Sequence, residues 1–381
     1  MPEQRIDSFY RKELVMKLND LYSKLAEIIS NLDYESIWHG FKPLKFALYD
    51  DENCFFDGSY IEKTNAFYAN TSISYNGEQI AIWKVEGENK ITVLASKIVH
   101  EMFHGYQTLQ GWNCWANEME ALCQYEYCAE NLTLKLREND LLLSLLDGSD
   151  ETALRELMSH RKLRSEKYPY EYSYESKVEE IEGTATYVEW MVLKQLDEPE
   201  AKALTNRMRT VMTKPECLFP IRISGYYTGA LMIKALSSAG IYPFAADDRP
   251  VGVSALKAVT PSDGGFPGKE VLFRNVSDAV DAFNKKSEEI IRSALERNEV
   301  VLNGPLELVC VNIYDARFYK GYIISRDFLL YRDEAGEKTI YGSFVIKLSD
   351  DKTISCVYIW DESLTPQYCP VKRTGPKKTD N

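Results

Sequence analysis

Residues 94–107 read LASKIVHEMFHGYQ, with apolar side chains at Leu94, Ala95, Ile98, Val99, Met102 and Phe103. That spacing is the period of a helix with one buried face. The same period aligns Ser96, His100, His104 and Gln107 as a separate polar stripe. The segment is therefore expected to be a helix, with Gly111 ending it, that packs on one side and aims two imidazoles from adjacent turns at one spot. Histidine is scarce, four in 381 residues, and two of the four stand on this stripe. Glu101 flanks the first of them. Two neutral imidazoles suit Zn²⁺, and a carboxylate beside them can take a proton from an activated water. At this histidine content a chance HExxH is on the order of one in a few hundred. His39 and His160 stand alone and read as hydrogen-bonded structural or surface residues.

Around that helix the pattern changes character several times. Leu14, Leu18, Leu21, Leu25, Ile28 and Leu32 form one helical face over residues 9–32. Strand-like runs follow at 44–49 and 66–85, and Asn76-Gly77 between two alternating segments is a strong hairpin signal. Residues 114–167 read as two or three Leu- and Glu-rich helices. The tyrosine-rich YPYEYSY (168–174) is expected to be a loop before a helix over 175–196. A short helix is expected from about Tyr226 to Gly240, and another over 277–298 capped by Ser277 or Asp278. After Asn298 the chain turns to short β runs, a small all-β module over 299–364. A polar Pro/Lys tail over 365–381 is expected to be disordered.

A net charge of −13 argues against nucleic acid and against an anionic membrane surface as partners. No apolar run reaches bilayer length, and the first residues lack the apolar stretch of a signal peptide, so a cytoplasmic location is expected. The eight cysteines include no CxxC pair and read as free thiols. The oligomeric state is left open.

A catalytic zinc site needs a third protein ligand. The residues offer two sources: Glu118 or Glu120 in WANEMEALCQYEY, and Glu182 in EEIEGTATYVEW. Cys114 lies just past the end of the HEMFH helix and is set aside. The segment Glu182-Gly183-Thr184-Ala185-Thr186-Tyr187-Val188-Glu189, downstream of HExxH, resembles the EGxAxYVE element of gluzincin metallopeptidases related to the M1 aminopeptidases. Tyr226-Tyr227-Thr228-Gly229-Ala230 is similar to their Tyr-x-x-Gly-Ala element. The resemblance spans roughly residues 41–236. It implies His100, His104 and Glu182 as metal ligands, Glu101 as the general base and Tyr226 as a donor to the substrate carbonyl. It places the hairpin where such enzymes keep the strand that binds substrate backbone. Gly183 and Ala185 would let their helix lie close to the HEMFH helix, and Arg222 is expected in a surface ion pair. The GxMEN segment of the M1 aminopeptidases is absent, so endo- or exo-action is not implied.

The expected architecture is α+β: a thermolysin-like gluzincin domain over 1–298, with a small twisted sheet, a helical insertion at about 114–167, and the appended β module. The expected function is zinc-dependent hydrolysis of a peptide or protein substrate. The competing reading is a non-catalytic zinc-binding module acting in protein interaction. An intact Glu101 favours the enzyme, because a purely structural site has no use for it.

Overall fold

A computed structural model describes residues 17–87, 90–241, 251–262, 266 and 268–360. Helices α1 (Leu18–Ser30) and α2 (Tyr34–Ile37) lead into strands β1 (Lys45–Tyr49), β2 (Cys54–Phe56), β3 (Ser59–Ile61), β4 (Thr71–Tyr75) and β5 (Glu78–Lys84). Ten α-helices follow among the described residues: α3 (Ile91–Leu109), α4 (Glu118–Gln124), α5 (Ala129–Ser144), α6 (Glu151–Lys167), α7 (Pro169–Val178), α8 (Thr184–Leu196), α9 (Glu198–Met212), α10 (Ile221–Ser238), α11 (Val251–Ala258) and α12 (Lys269–Arg297). Strands β6 (Val300–Val311), β7 (Arg317–Tyr319), β8 (Tyr322–Ser325), β9 (Phe328–Asp333), β10 (Gly336–Tyr341), β11 (Phe344–Asp350) and β12 (Thr353–Ile359) complete the chain. The expected helical residues 9–16 and the tail from 365 lie outside the described residues. No helix among those described is long and apolar enough to cross a membrane.

The chain divides into two compact units. One holds the described residues up to 113 together with Thr184–Asn206, and the other holds Cys114–Gly183 and the described residues from 207 onward. The expected boundary at residue 298 is not where the division falls: the C-terminal strands belong with the helices of the second unit.

In the first unit, a five-stranded sheet runs in the order β3-β2-β1-β5-β4, with β1 and β5 parallel. The hairpin forms as its sequence dictates. Tyr75 pairs with Glu78 across a two-residue turn in which Asn76 and Gly77 both take positive φ, 50° and 83°. This leaves β4 as an edge strand. Helix α3 packs on the sheet through the face read from its periodicity, with Leu94, Ile98, Val99, Met102 and Phe103 buried. Gly105 permits the close approach, since a Cβ there would stand 2.4 Å from Leu44 Cδ1 and 2.8 Å from Ser72 Oγ on β4. Helix α8 lies along α3 and buries Val188 and Val192.

In the second unit the tyrosine-rich stretch 168–174 is helical, contrary to the loop expected. Pro169 takes the first position of α7, where its missing N–H costs nothing, and Tyr172 and Tyr174 bury their rings. Helix α7 continues through one π-helical turn, Glu179–Gly183, into α8 without a break. That turn crosses α10 backbone against backbone. A Cβ on Gly183 would lie 2.5 Å from Gly229 Cα, and one on Gly229 would lie 2.4 Å from Glu179 O. Gly183 therefore serves an approach to α10, not to the HEMFH helix as its sequence context suggested. Helix α10 starts at Ile221 after Pro220, earlier than expected, so Arg222 and Tyr226 stand one turn apart on it. Helix α12 likewise starts at Lys269, so Ser277 and Asp278 lie within it and cap nothing.

Six charged side chains, Lys135, Arg161, Arg164, Glu138, Glu175 and Glu179, are buried together beneath that turn. Arg161 grips Glu179 at 3.1 and 2.5 Å, and Lys135 sits 3.0 Å from Glu175 and 3.2 Å from Glu179. Arg164 reaches Glu138 at 3.0 Å and also pairs with Glu175. Burial alone would favour neutral acids, but Arg161 and Lys135 hold Glu179 well below the usual carboxylate range, and Arg164 and Lys135 lower Glu175. The C-terminal strands form an antiparallel sheet in the order β10-β9-β6-β12-β11-β8-β7. Ile290, Ile291 and Ala294 of α12 pack on it against Ile324, Val345 and Trp360.

The glycine crossing leaves no room for a methyl group. Gly229→Ala is expected to lower stability by about 1–3 kcal/mol, the range for overpacking a filled site. Gly148→Ala, where a Cβ meets nothing within 4 Å, should stay near the parent. Urea midpoints for the two variants check this, and equal midpoints would contradict it.

Candidate metal centre

His100 and His104 project from successive turns of α3, and their Nε2 atoms face each other at 3.2 Å. The opposite ring nitrogens are both engaged. His100 Nδ1 lies 3.2 Å from Glu189 Oε2, and His104 Nδ1 lies 2.8 Å from Gln107 Oε1. Gln107 is itself oriented, its Nε2 donating to Thr184 Oγ1 at 2.9 Å. The Gln107 acceptor places the His104 proton on Nδ1, and the Glu189 carboxylate beside His100 Nδ1 favours the same tautomer there, which leaves two Nε2 lone pairs aimed at one point. Lone pairs so close repel unless a cation or proton lies between them.

Glu189, near the middle of α8, does the orienting. Its buried carboxylate lies 2.8 Å from Lys97 Nζ as well as beside His100. Burial favours the neutral acid, but Lys97 and His100 outweigh it and hold the carboxyl down at about 2. A charged carboxylate behind a ligating imidazole fixes the ring and makes it more basic.

Glu182 stands in the π-helical turn, two residues before Thr184 in the same helical run. One ligand atom from each of His100, His104 and Glu182 falls within 4.8 Å of the others. Neither Glu118 nor Glu120 joins this cluster among the described residues. Glu118 instead pairs with Arg222 and accepts from Tyr174 OH at 2.8 Å. Glu120 is exposed and bonded by Asn117 at the start of α4. Glu101 is also outside the ligand cluster. Cys114 is buried, and the seven described cysteines form no disulfide with one another.

Two nitrogens and one carboxylate oxygen are the donor set of a catalytic zinc site. A tetrahedral zinc about 2.0–2.1 Å from each imidazole brings the two nitrogens to roughly 3.3 Å apart, and the observed separation is 3.2 Å. The residues present fit the ion.

The other oxygen chemistry of the site centres on Arg222. Its sequence context suggested a surface ion pair, yet the side chain is buried and its guanidinium joins two carboxylates, Glu118 and Glu182 Oε1, the latter at 2.6 Å. The same Nη2 donates to Tyr226 OH at 3.3 Å. Burial and the negative charge of Glu182 raise Tyr226 well above the ordinary phenol range, so it stays protonated and able to donate. Burial also raises Glu118, with Arg222 pulling against it. Tyr227, one residue on, is buried separately. Glu189, Gln107 and the bridging role of Arg222 went unread in the sequence. Gln107 carried a signal in its place on the histidine stripe, and Glu189 in being a charged residue on an otherwise apolar stretch of α8.

No protein family, no curated protein and no solved structure matches this chain.

Glu189→Gln keeps the shape behind His100 and removes its charge. Zinc affinity, measured by chelator competition, is expected to fall about 10–100-fold with the far-UV circular dichroism unchanged. Glu120→Gln is expected to leave affinity unaltered. An unchanged affinity in Glu189→Gln would remove its orienting role.

Proposed function

We propose that this chain is a zinc-dependent hydrolase of peptide bonds, built on a thermolysin-like, gluzincin-related arrangement. One observation carries the reading: two imidazole Nε2 atoms 3.2 Å apart, each backed by an acceptor on its other nitrogen, with the Glu182 carboxylate in the same cluster. His100, His104 and Glu182 would hold the ion, which when bound supplies a Lewis acid that polarises a carbonyl and acidifies water.

The chain's own residues supply the remaining chemistry. Glu101, adjacent to His100 and outside the ligand cluster, takes a proton from the attacking water and returns it to the departing amine. Tyr226 keeps its proton and donates to the carbonyl oxygen as negative charge grows there. Arg222 anchors both sides of this arrangement, holding the Glu182 carboxylate and the Tyr226 hydroxyl with a single nitrogen. Edge strand β4 presents unpaired backbone groups beside α3, a place for an extended peptide to add as a further strand.

Glu101→Gln is nearly isosteric and removes only the base. Zinc content by elemental analysis should stay at the parent level while cleavage of a peptide pool collapses, and a chelator should abolish cleavage by the parent. Parent-like cleavage by this variant would overturn the mechanism. Full zinc occupancy with no cleavage by the parent would replace the hydrolase with a zinc-binding interaction module.

A further inference from the structure

We infer that Tyr314, supplied by the C-terminal β sheet, is a positioning residue for Tyr226, so that this sheet is part of the site and not an accessory to it. The inference rests on the proposed hydrolase reading. Tyr314 lies on the loop between β6 and β7, and its hydroxyl stands 3.1 Å from Tyr226 OH. Both rings flank one cation: the Arg222 guanidinium carbon is 5.5 Å from the Tyr226 ring centre and 5.7 Å from that of Tyr314.

Counting donors gives the contact its meaning. A phenol oxygen accepts two hydrogen bonds and donates one. Tyr226 already accepts from Arg222 Nη2. When Tyr314 donates as well, both acceptor positions of Tyr226 are filled, and the Tyr226 proton must point away from Arg222 and Tyr314. That is the direction from which a substrate carbonyl would accept it. Without Tyr314 the Tyr226 hydroxyl rotates against a single partner, and only a fraction of its orientations can donate usefully.

The loop is built to hold Tyr314 in place. Asn312 is buried, its Oδ1 accepts from Tyr314 N at 3.2 Å, and its Nδ2 bonds the Asp327 carboxylate. The Asn312 carbonyl accepts from Asp315 N and Ala316 N at 3.3 and 3.0 Å, and Arg326 Nε bonds Asp315 at 2.7 Å.

Two measurements on the full chain test this. In metal-free protein labelled with ¹³Cζ-tyrosine, Tyr314→Phe should shift the Tyr226 resonance, identified by its loss in Tyr226→Phe, while Tyr341→Phe on edge strand β10 should not. In zinc-loaded protein Tyr314→Phe should lower kcat about 2–12-fold with KM little changed, the worth of one ordinary hydrogen bond. The double variant should be no slower than Tyr226→Phe alone, because Tyr314 acts through Tyr226. An unmoved Tyr226 resonance, or losses that add in the double variant, would overturn the inference. A shifted resonance in a parent protein that cleaves no peptide would overturn the hydrolase reading, leaving only a structural contact between the hydroxyls.

Discussion

The crossing of the π-helical turn over α10 admits no side chain between the two backbones, because Gly183 lies directly against Gly229. Everything chemical in the second unit is referenced to that contact. Glu182 precedes one glycine, and Arg222 and Tyr226 lie two turns and one turn before the other, so the approach brings a carboxylate, a guanidinium and a phenol within hydrogen-bonding distance. A wider crossing, as any Cβ would force, would separate the donor from the acceptor. The π-helical turn matters for the same reason. An extra residue in the turn rotates Glu182 relative to the α8 residues that follow, a device often found where a helix must aim a functional side chain.

The buried charge cluster holds that turn from below. Three cations and three anions lie together in the interior, with Glu179 of the turn gripped by Arg161 and Lys135 and accepting from Thr228 of α10 at 2.8 Å. Such a set is a weak contributor to net stability, since desolvation offsets most of the attraction, but removing one member would strand the others uncompensated. Its value is positional. Unlike apolar packing, paired charges tolerate one arrangement, and here that arrangement ties α5, α6, α7 and α10 to the turn that carries Glu182.

The parts legible in the sequence are those set by local period and local turn chemistry. The helix carrying HEMFH, the Asn76-Gly77 hairpin and the short C-terminal strands all emerge from neighbouring residues, and the structure places them close to where they are read. The parts that were not legible are those decided over long sequence distances. Tyrosines 168–174 look like a loop because their helical face is buried by elements far away in the chain. Arg222 looks like a surface charge because both of its carboxylate partners are remote, Glu118 by 104 positions and Glu182 by 40. Tyr314 had no local signal: it is one of 25 tyrosines, and only the loop geometry distinguishes it. Of the proposed ligands, the histidine pair follows from helical spacing, whereas Glu182 is preferred to Glu118 and Glu120 in the sequence on a resemblance alone, and it is the carboxylate that lies with the two histidines among the described residues.

The most direct test of the metal centre is anomalous diffraction at the zinc edge from crystals of the full chain grown with zinc. The expected result is one strong peak about 2.0–2.2 Å from His100 Nε2, His104 Nε2 and a Glu182 carboxylate oxygen. A peak coordinated by Glu118, Glu120 or Cys114 in place of Glu182, or no peak at the two histidines, would contradict it.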